Sequence, residues 1–423
     1  MKTFWTTIIV LIIIGAGFFV YKNEFSPAEN PSGQTSENQN EGSSSPIRNL
    51  SYHTETISAP GLPLGSFGLT IPDGYHISVA ANGMTKPRFM ALSPDGRLFV
   101  PDMINAGDTD NGKIYILSGF NSETHTFGLK SVYLSNLRNP NSVTFYKDTS
   151  GKEWIYIALT DKLIRYPYHA GDMQPLGDPQ TIATFPDFGN PASEGGWHLT
   201  RTLAIHDDKI YVSVGSSCDG CEEMNFKRAS ILLMDPDGKN LKVYANGLRN
   251  AVGLDFVGDS LYATDMGVDH LGNGAPNDVV LKIQAGANYG WPYCYYLNGK
   301  VLPDTTENWK NSFDCSVVPA AFTDLPPHSA PLGIEFVDSK AGSVLQNSFL
   351  VALHGSGNVS IGTGNAVVRV SKDGATVTPI VSGFLKDGKR AGRAAGILEN
   401  SNGDIFITDD YDGLVYDLYK ASE

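Results

Sequence analysis

Cysteine is scarce in this chain, with four residues, Cys218, Cys221, Cys294 and Cys315, among 423. None lies near the N-terminus, which excludes a lipid-modified N-terminal cysteine. No CxxCH occurs, which excludes covalent haem attachment. Basic charge is short as well: 31 Lys and Arg face 45 Asp and Glu. No basic cluster runs along the chain to match a phosphate backbone, so no nucleic-acid partner is expected. Signals for long helices are weak. Gly, at 45 residues, and Pro, at 24, punctuate the sequence as hairpins and loops require.

One long apolar run is present. Phe4 to Tyr21 comprises eighteen residues without charge, between Lys2 and Lys22, which just reaches the length needed to cross a hydrocarbon core. GAG at Gly15 to Gly17 is a poor match to a cleavage site, and Phe18 to Tyr21 continue the apolar run past it. Residues 1–22 are therefore expected to be a membrane anchor or signal segment, the uncleaved inner-membrane anchor being favoured. The remainder would lie in the periplasm or outside the cell, or be secreted if the segment is cleaved. Residues 23–49 carry almost no apolar side chain and read as a disordered linker. About 370 residues remain, enough for one large all-β domain or two ordinary ones.

An even cysteine count in an exported chain permits disulfides, and four cysteines allow three complete pairings. The CDGC pair fits a short-loop disulfide, a redox dithiol or half of a metal site. A four-thiolate site lacks its second close pair, because Cys294 and Cys315 stand twenty-one residues apart. A redox CxxC normally opens a helix behind a strand, and the helical signal here is weak. The expected bridges are Cys218 to Cys221 and Cys294 to Cys315.

From residue 50 onward the chain repeats itself. SPDGRLFV, DTSGKEWIYI, HDDKIYVSV, VGDSLYATD, NSFLVALHG and SNGDIFITDD each set a short apolar or alternating run behind a turn signal. With Phe99, Tyr156, Tyr211, Tyr262, Val351 and Phe406 as markers, the gaps are 57, 55, 51, 89 and 55 residues, a repeat with one long insertion. A unit of ~50 residues with about four strands cannot bury both sheet faces alone; stacked radially, such units close into a propeller. Six markers imply an all-β, six-bladed β-propeller over residues 50–423. The alternatives are paired β-sandwiches or an irregular β-helix.

WHLTRTLAI, VGSSCDGCEE, YANGLRNAVGLDF, TDMGVDHLGNGAPNDVVLKI, GANYGWPYCY and PPHSAPLGIEF follow in that order. Together they resemble the glucose/sorbosone dehydrogenase family of six-bladed propellers that use pyrroloquinoline quinone, over roughly Pro72 to Ala421. The resemblance implies an oxidoreductase acting on a sugar, aldose, sugar aldehyde or polyol, with His198 as general base and the quinone as hydride acceptor. It implies that Arg249, Asn250 and Arg393 flank the cofactor and that Ca²⁺ sits at Gly267 and Val268.

Unaided chemistry agrees with this assignment. An oriented imidazole suits proton abstraction from a hydroxylated carbon. An anionic quinone needs donors such as Arg201, Arg249, Arg393 and Asn250, and Asn141, His328 and His354 are further candidates for its pocket. Asp265 and Asp269 add hard oxygen ligands to the calcium loop. With no haem motif in the chain, electrons must leave to a separate acceptor, the quinone pool or a cytochrome.

Each residue also has a structural alternative. His198 can be a satisfied blade-core histidine, Arg201 can fasten one blade to the next, Asp265, Asp269 and Asp278 can cap turns, and Trp291 can pack between blades. The sequence departs from the family at HGSGNVS: His354 stands where the soluble glucose dehydrogenases carry a lysine, and Gly357 where sorbosone-like relatives carry a tryptophan. A non-catalytic propeller binding glycan or protein, and a calcium-dependent hydrolase or lactonase, are the competing functional classes.

Overall fold

Each of the six markers falls on the second strand of a four-stranded sheet. The computed structural model describes residues 50–187, 197–338 and 340–421, so the expected membrane segment and linker lie outside the described residues. The six sheets span residues 91–137, 142–184, 201–246, 254–325, 331–381 and 394–420. All are antiparallel, and the first strands of successive blades pack side by side around a common axis.

Closure uses the other end of the chain. Tyr75–Ala81 supplies the outermost strand of blade 6, pairing antiparallel with Leu414–Lys420 from Tyr75↔Lys420 to Ala81↔Val415. The ring is thereby latched by hydrogen bonds between its first and last strands, which protects an edge that would otherwise invite pairing. Ahead of it, Tyr52–Ser58 and Ser66–Pro72 form a hairpin, and Thr70 exchanges backbone hydrogen bonds with Ser382 beside blade 5.

The second strands are apolar on both faces because each blade lies between two others. Leu98–Asp102 and Ile405–Asp409 are buried at every position, the continuous pattern of a doubly covered strand. Between blades 3 and 4, Ile231 and Ala245 pack with Leu261, Val279 and Leu281.

Polar links recur at the seams. Thr264 Oγ1 donates to Leu332 O at 2.8 Å and accepts from Gly253 N at 2.8 Å. Thr408 repeats the pattern with Arg88 O at 3.1 Å and Gly396 N at 2.7 Å. Gly253 leaves room for this seam: a Cβ there would lie 2.2 Å from Leu332 O.

The long gap in the repeat is an insertion between the third and fourth strands of blade 4. It holds a hairpin, Cys294–Leu297 with Lys300–Pro303, and a 3₁₀ turn at Cys315–Val317. Disulfides join Cys294 to Cys315 and Cys218 to Cys221, the two expected pairings. Among the described residues, no helix is long and apolar enough to cross a membrane.

Candidate active site

Antiparallel pairing brings the end of each second strand beside the start of the first: Arg201 faces Val214, Leu254 faces Ala263 and Ala394 faces Asp409. The loops leaving second strands therefore share one face of the ring with the loops entering first strands. On that face, loops of blades 3 to 6 enclose a cavity of about 610 Å³, within the range that holds a small organic ligand. His198, Arg249, Asn250, Gly267, Val268, Asp269, His328 and Arg393 all line it, joined by Trp197, Asn273 and Asp278.

His198 has a left-handed backbone, φ 47°, a conformation that costs a non-glycine residue energy and persists only where neighbours enforce it. Arg201 Nη1 holds its carbonyl at 2.6 Å. His198 Nδ1 lies 3.0 Å from both the carbonyl and the hydroxyl oxygen of Ser216. The Ser216 hydroxyl proton is committed to Cys218 O at 2.7 Å, so both Ser216 oxygens act as acceptors and Nδ1 carries the imidazole proton. Nε2 is left with its lone pair and has no partner among the described residues. Burial, reinforced by Arg249, Arg228 and Arg201 and opposed by the Ser216 bond, holds the ring well below the usual histidine pKa. The lowered pKa favours the neutral imidazole, oriented by Ser216.

Gly215 makes this arrangement sterically possible. A Cβ on it would stand 2.4 Å from Asn250 Oδ1 and 2.6 Å from His198 Cβ. Arg249 is almost fully buried and gathered by Asp219, which sits inside the Cys218–Cys221 loop. Asp219 Oδ1 accepts Arg249 Nη2 at 2.6 Å and the Asp269 N–H at 2.8 Å, and its carbonyl takes Arg249 Nε at 3.0 Å. The same carbonyl accepts the indole N–H of buried Trp291 at 3.1 Å. Asp219 Oδ2 binds His270 Nδ1 at 2.8 Å, and His270 Nε2 meets Asp304 Oδ2 of the insertion at 2.8 Å. Burial raises the Asp219 carboxyl, but Arg249 and the N–H donors outweigh it and hold its pKa below the ordinary value.

The loop from Gly267 to Asp269 forms another part of the wall. Asp278 Oδ1 accepts the Gly267 N–H at 2.8 Å and its Oδ2 accepts Ala330 N at 2.7 Å; burial pushes its carboxyl up to about 6. The carbonyls of Gly267 and Val268 accept no hydrogen bond among the described residues, and the Asp269 carboxylate is exposed and 3.3 Å from His328 Nδ1. Arg393 is held through its Nε by the His354 carbonyl at 3.0 Å.

Four expected site residues do not line the cavity. Arg201 is fully buried, with its Nη1 donating to the carbonyls of His198 and Thr200 and its Nη2 to that of Pro186, so it holds the His198 backbone from behind. Asn141 bridges blade seams, accepting from Arg88 Nε and donating to Arg201 O and Thr202 Oγ1. The His354 ring turns to Asp410, Nε2 to Oδ1 at 2.6 Å, and Asp410 also pairs with Arg88 at 2.7 Å; it braces Arg393 through its carbonyl alone. The Asp265 carboxylate accepts the N–H groups of Arg249, Asn250 and Met266, which ties it beneath the loop and off the cavity wall. Ser216, Asp219 and Gly215 were not singled out. Their only sequence signal is proximity to CDGC, which does not reveal what their atoms touch.

Residues 69–421 match the TrAA12-like family. The chain belongs to that family. An uncharacterized protein of Borreliella burgdorferi is 26% identical to this TrAA12-like chain over 378 residues, 83% of the chain and 90% of the relative. Among solved structures, the PQQ domain of pyranose dehydrogenase from Coprinopsis cinerea, in its holo form, superposes with a TM-score of 0.69 at 18% identity, covering 86% of this chain and all of that domain. The calcium structure of the Trichoderma reesei family AA12 enzyme gives 0.68 at 17%, with 83% and 96% covered. The PQQ-bound aldose sugar dehydrogenase of Streptomyces coelicolor gives 0.56 at 19%, with 82% and 99% covered. At these identities the likeness is one of fold.

Proposed function

We propose that this TrAA12-like chain is a quinone-dependent oxidoreductase that oxidises a sugar, sugar aldehyde or polyol, with pyrroloquinoline quinone in the cavity and Ca²⁺ at the Gly267–Asp269 loop. The observation that carries this reading is His198: a neutral imidazole, strained into place and fixed by Ser216, on the wall of a cavity that Arg249 and Arg393 also line. The donor set fits the cofactor. Arg249, Arg393 and the Asn250 amide supply charge and N–H donors for carboxylates and quinone oxygens. The unbonded carbonyls of Gly267 and Val268, with Asp269, supply the hard oxygens that calcium prefers.

When bound, the quinone supplies the hydride acceptor. His198 Nε2 takes the proton from the substrate hydroxyl as the C–H bond is broken. The Ser216 contact keeps the second nitrogen protonated throughout, so only one nitrogen can act as base. Burial, with Arg249 and Arg228, lowers the affinity of the ring for that proton, which favours its onward release to solvent. Trp197, 40% exposed beside the imidazole, offers an apolar face for a sugar ring. Electrons leave to a separate acceptor, the quinone pool or a cytochrome.

The two disulfides support an oxidising compartment, in line with export of the propeller by the segment at Phe4 to Tyr21, retained as an anchor or removed. The test is titration of the protein with pyrroloquinoline quinone and Ca²⁺, followed by absorbance and then by dye reduction with aldoses, aldehydes and polyols. Stoichiometric binding with substrate-dependent bleaching is expected. No binding at micromolar quinone overturns the reading in favour of a glycan- or protein-binding propeller, and metal-dependent ester or lactone cleavage without quinone favours the hydrolase.

A further inference from the structure

Alternation along Tyr52–Ser58 turns His53, Glu55 and Ile57 inward and leaves Tyr52, Thr54, Thr56 and Ser58 exposed. Ile57 enters the core, but the two inward positions before it carry an imidazole and a carboxylate. Both meet His76, at the start of the strand that closes blade 6. Glu55 Oε1 lies 2.6 Å from His76 Nδ1 and 3.3 Å from His53 Nε2, while Glu55 Oε2 is fixed by the Ile77 N–H at 2.9 Å. On its far side, His53 Nδ1 contacts Asp73 Oδ1 at 3.1 Å. His53 thus stands between two carboxylates, and with an ion on Nε2 in place of the Glu55 hydrogen bond the Asp73 contact would hold the ring proton on Nδ1, as carboxylates do for metal-binding imidazoles.

We propose that His53, Glu55 and His76 bind a divalent transition-metal ion of the zinc class, through His53 Nε2, Glu55 Oε1 and His76 Nδ1, with Asp73 as the positioning carboxylate. Two imidazoles and one carboxylate suit Zn²⁺ over Ca²⁺ or Mg²⁺. Tetrahedral ligands at about 2.1 Å from zinc stand about 3.4 Å apart; Glu55 Oε1 and His53 Nε2 already have that spacing at 3.3 Å, His76 Nδ1, hydrogen-bonded to Glu55 at 2.6 Å, would give up its proton and withdraw by about 0.8 Å, and the three ligand atoms lie within 4.8 Å of one another. The histidine side chains are 37% and 47% exposed, so water completes the shell. No thiolate competes, because both cysteine pairs are disulfides. The site joins the hairpin to the closing strand, so the ion would clip the N-terminal part of the propeller onto its latch.

The test uses the full chain, stripped by chelator and held in excess Ca²⁺, titrated with Zn²⁺ by calorimetry and with Co²⁺ by visible absorption. One equivalent is expected, with a rise in thermal midpoint and the d–d bands of a four-coordinate site. His76→Gln, and Glu55→Gln, which keeps an acceptor for Ile77, are expected to abolish stoichiometric binding, each with a native circular dichroism spectrum. Asp73→Asn is expected to weaken binding by about 10–100-fold. His206→Ala, in a cluster with the exposed Asp207 and Asp259, is expected to change nothing. No saturable uptake, or uptake that survives both ligand variants or is lost in His206→Ala, overturns the site and leaves the cluster an ion-pair network only.

Discussion

Gly215→Ala tests whether the geometry around His198 is what drives turnover. The added methyl would lie 2.4 Å from Asn250 Oδ1 and 2.6 Å from His198 Cβ, so reaching ordinary contact at 3.4 Å moves the first by about 1.0 Å and the second by about 0.8 Å. Neither side chain yields freely: the His198 carbonyl is held by Arg201 and its ring by Ser216, and the Asn250 N–H is tied to Asp265. Overpacking of this kind costs about 1–3 kcal/mol of stability, whereas a misplacement of about 1 Å in a catalytic group costs on the order of 10²-fold in rate. The expected result in a dye-reduction assay is therefore a loss of kcat near 10²-fold in a protein that still unfolds cooperatively. Gly107→Ala, whose Cβ meets nothing closer than 3.7 Å, should be silent. Turnover by Gly215→Ala within about twofold of wild type would refute the argument that His198 must hold its present position.

Three further perturbations probe other parts of the account. Because His198 stays neutral below the usual histidine range, kcat/KM should be level from about pH 8 through about 6.5 and fall only at lower pH. An acid limb centred above 6.5 contradicts the neutral-base assignment. By the same shift, the unfolded chain takes up a proton near 6.5 that the folded chain refuses, so this residue lowers stability as pH falls below that value. Asp219→Asn removes the charge that gathers Arg249, Asp269 and His270; for a half-buried pair this is worth about 1–2 kcal/mol. Calorimetry should show quinone affinity down by about 10-fold, with kcat at saturation changed far less. Thr264→Val strands the Leu332 carbonyl and the Gly253 N–H at a fully buried seam, and denaturant unfolding should register a loss of about 2–4 kcal/mol.

The blade repeat was legible because every second strand is covered on both faces and reads as a short apolar run, so Phe99, Tyr156, Tyr211, Tyr262, Val351 and Phe406 fall on equivalent strands. The latch was not, since Tyr75–Ala81 pairs with a strand more than three hundred residues away and nothing local marks that partnership. Motif order brought His198, Arg249, Asn250, Gly267, Val268, Asp269, His328 and Arg393 to one cavity. It misdirected at Arg201, Asn141, His354 and Asp265, because a motif fixes where a residue stands in the chain but not which way its side chain turns. Buried backbone N–H and carbonyl groups must find partners, and that demand captured Arg201, Asn141 and Asp265, whereas the buried Asp410 carboxylate captured His354. Asp219 shows the converse: its identity is ordinary, and its importance arises only when folding surrounds it with Arg249, Asp269, His270 and Trp291.

The measurement that bears most directly on the central claim is single-turnover bleaching of the quinone-loaded, Ca²⁺-saturated protein by sugar, comparing wild type with His198→Gln. The account predicts that the variant takes up quinone stoichiometrically with an affinity within a few-fold of wild type while its bleaching rate falls by about 10²–10⁴-fold, the contribution of a positioned base. Equal bleaching rates in the two proteins would contradict it and remove His198 from the chemistry.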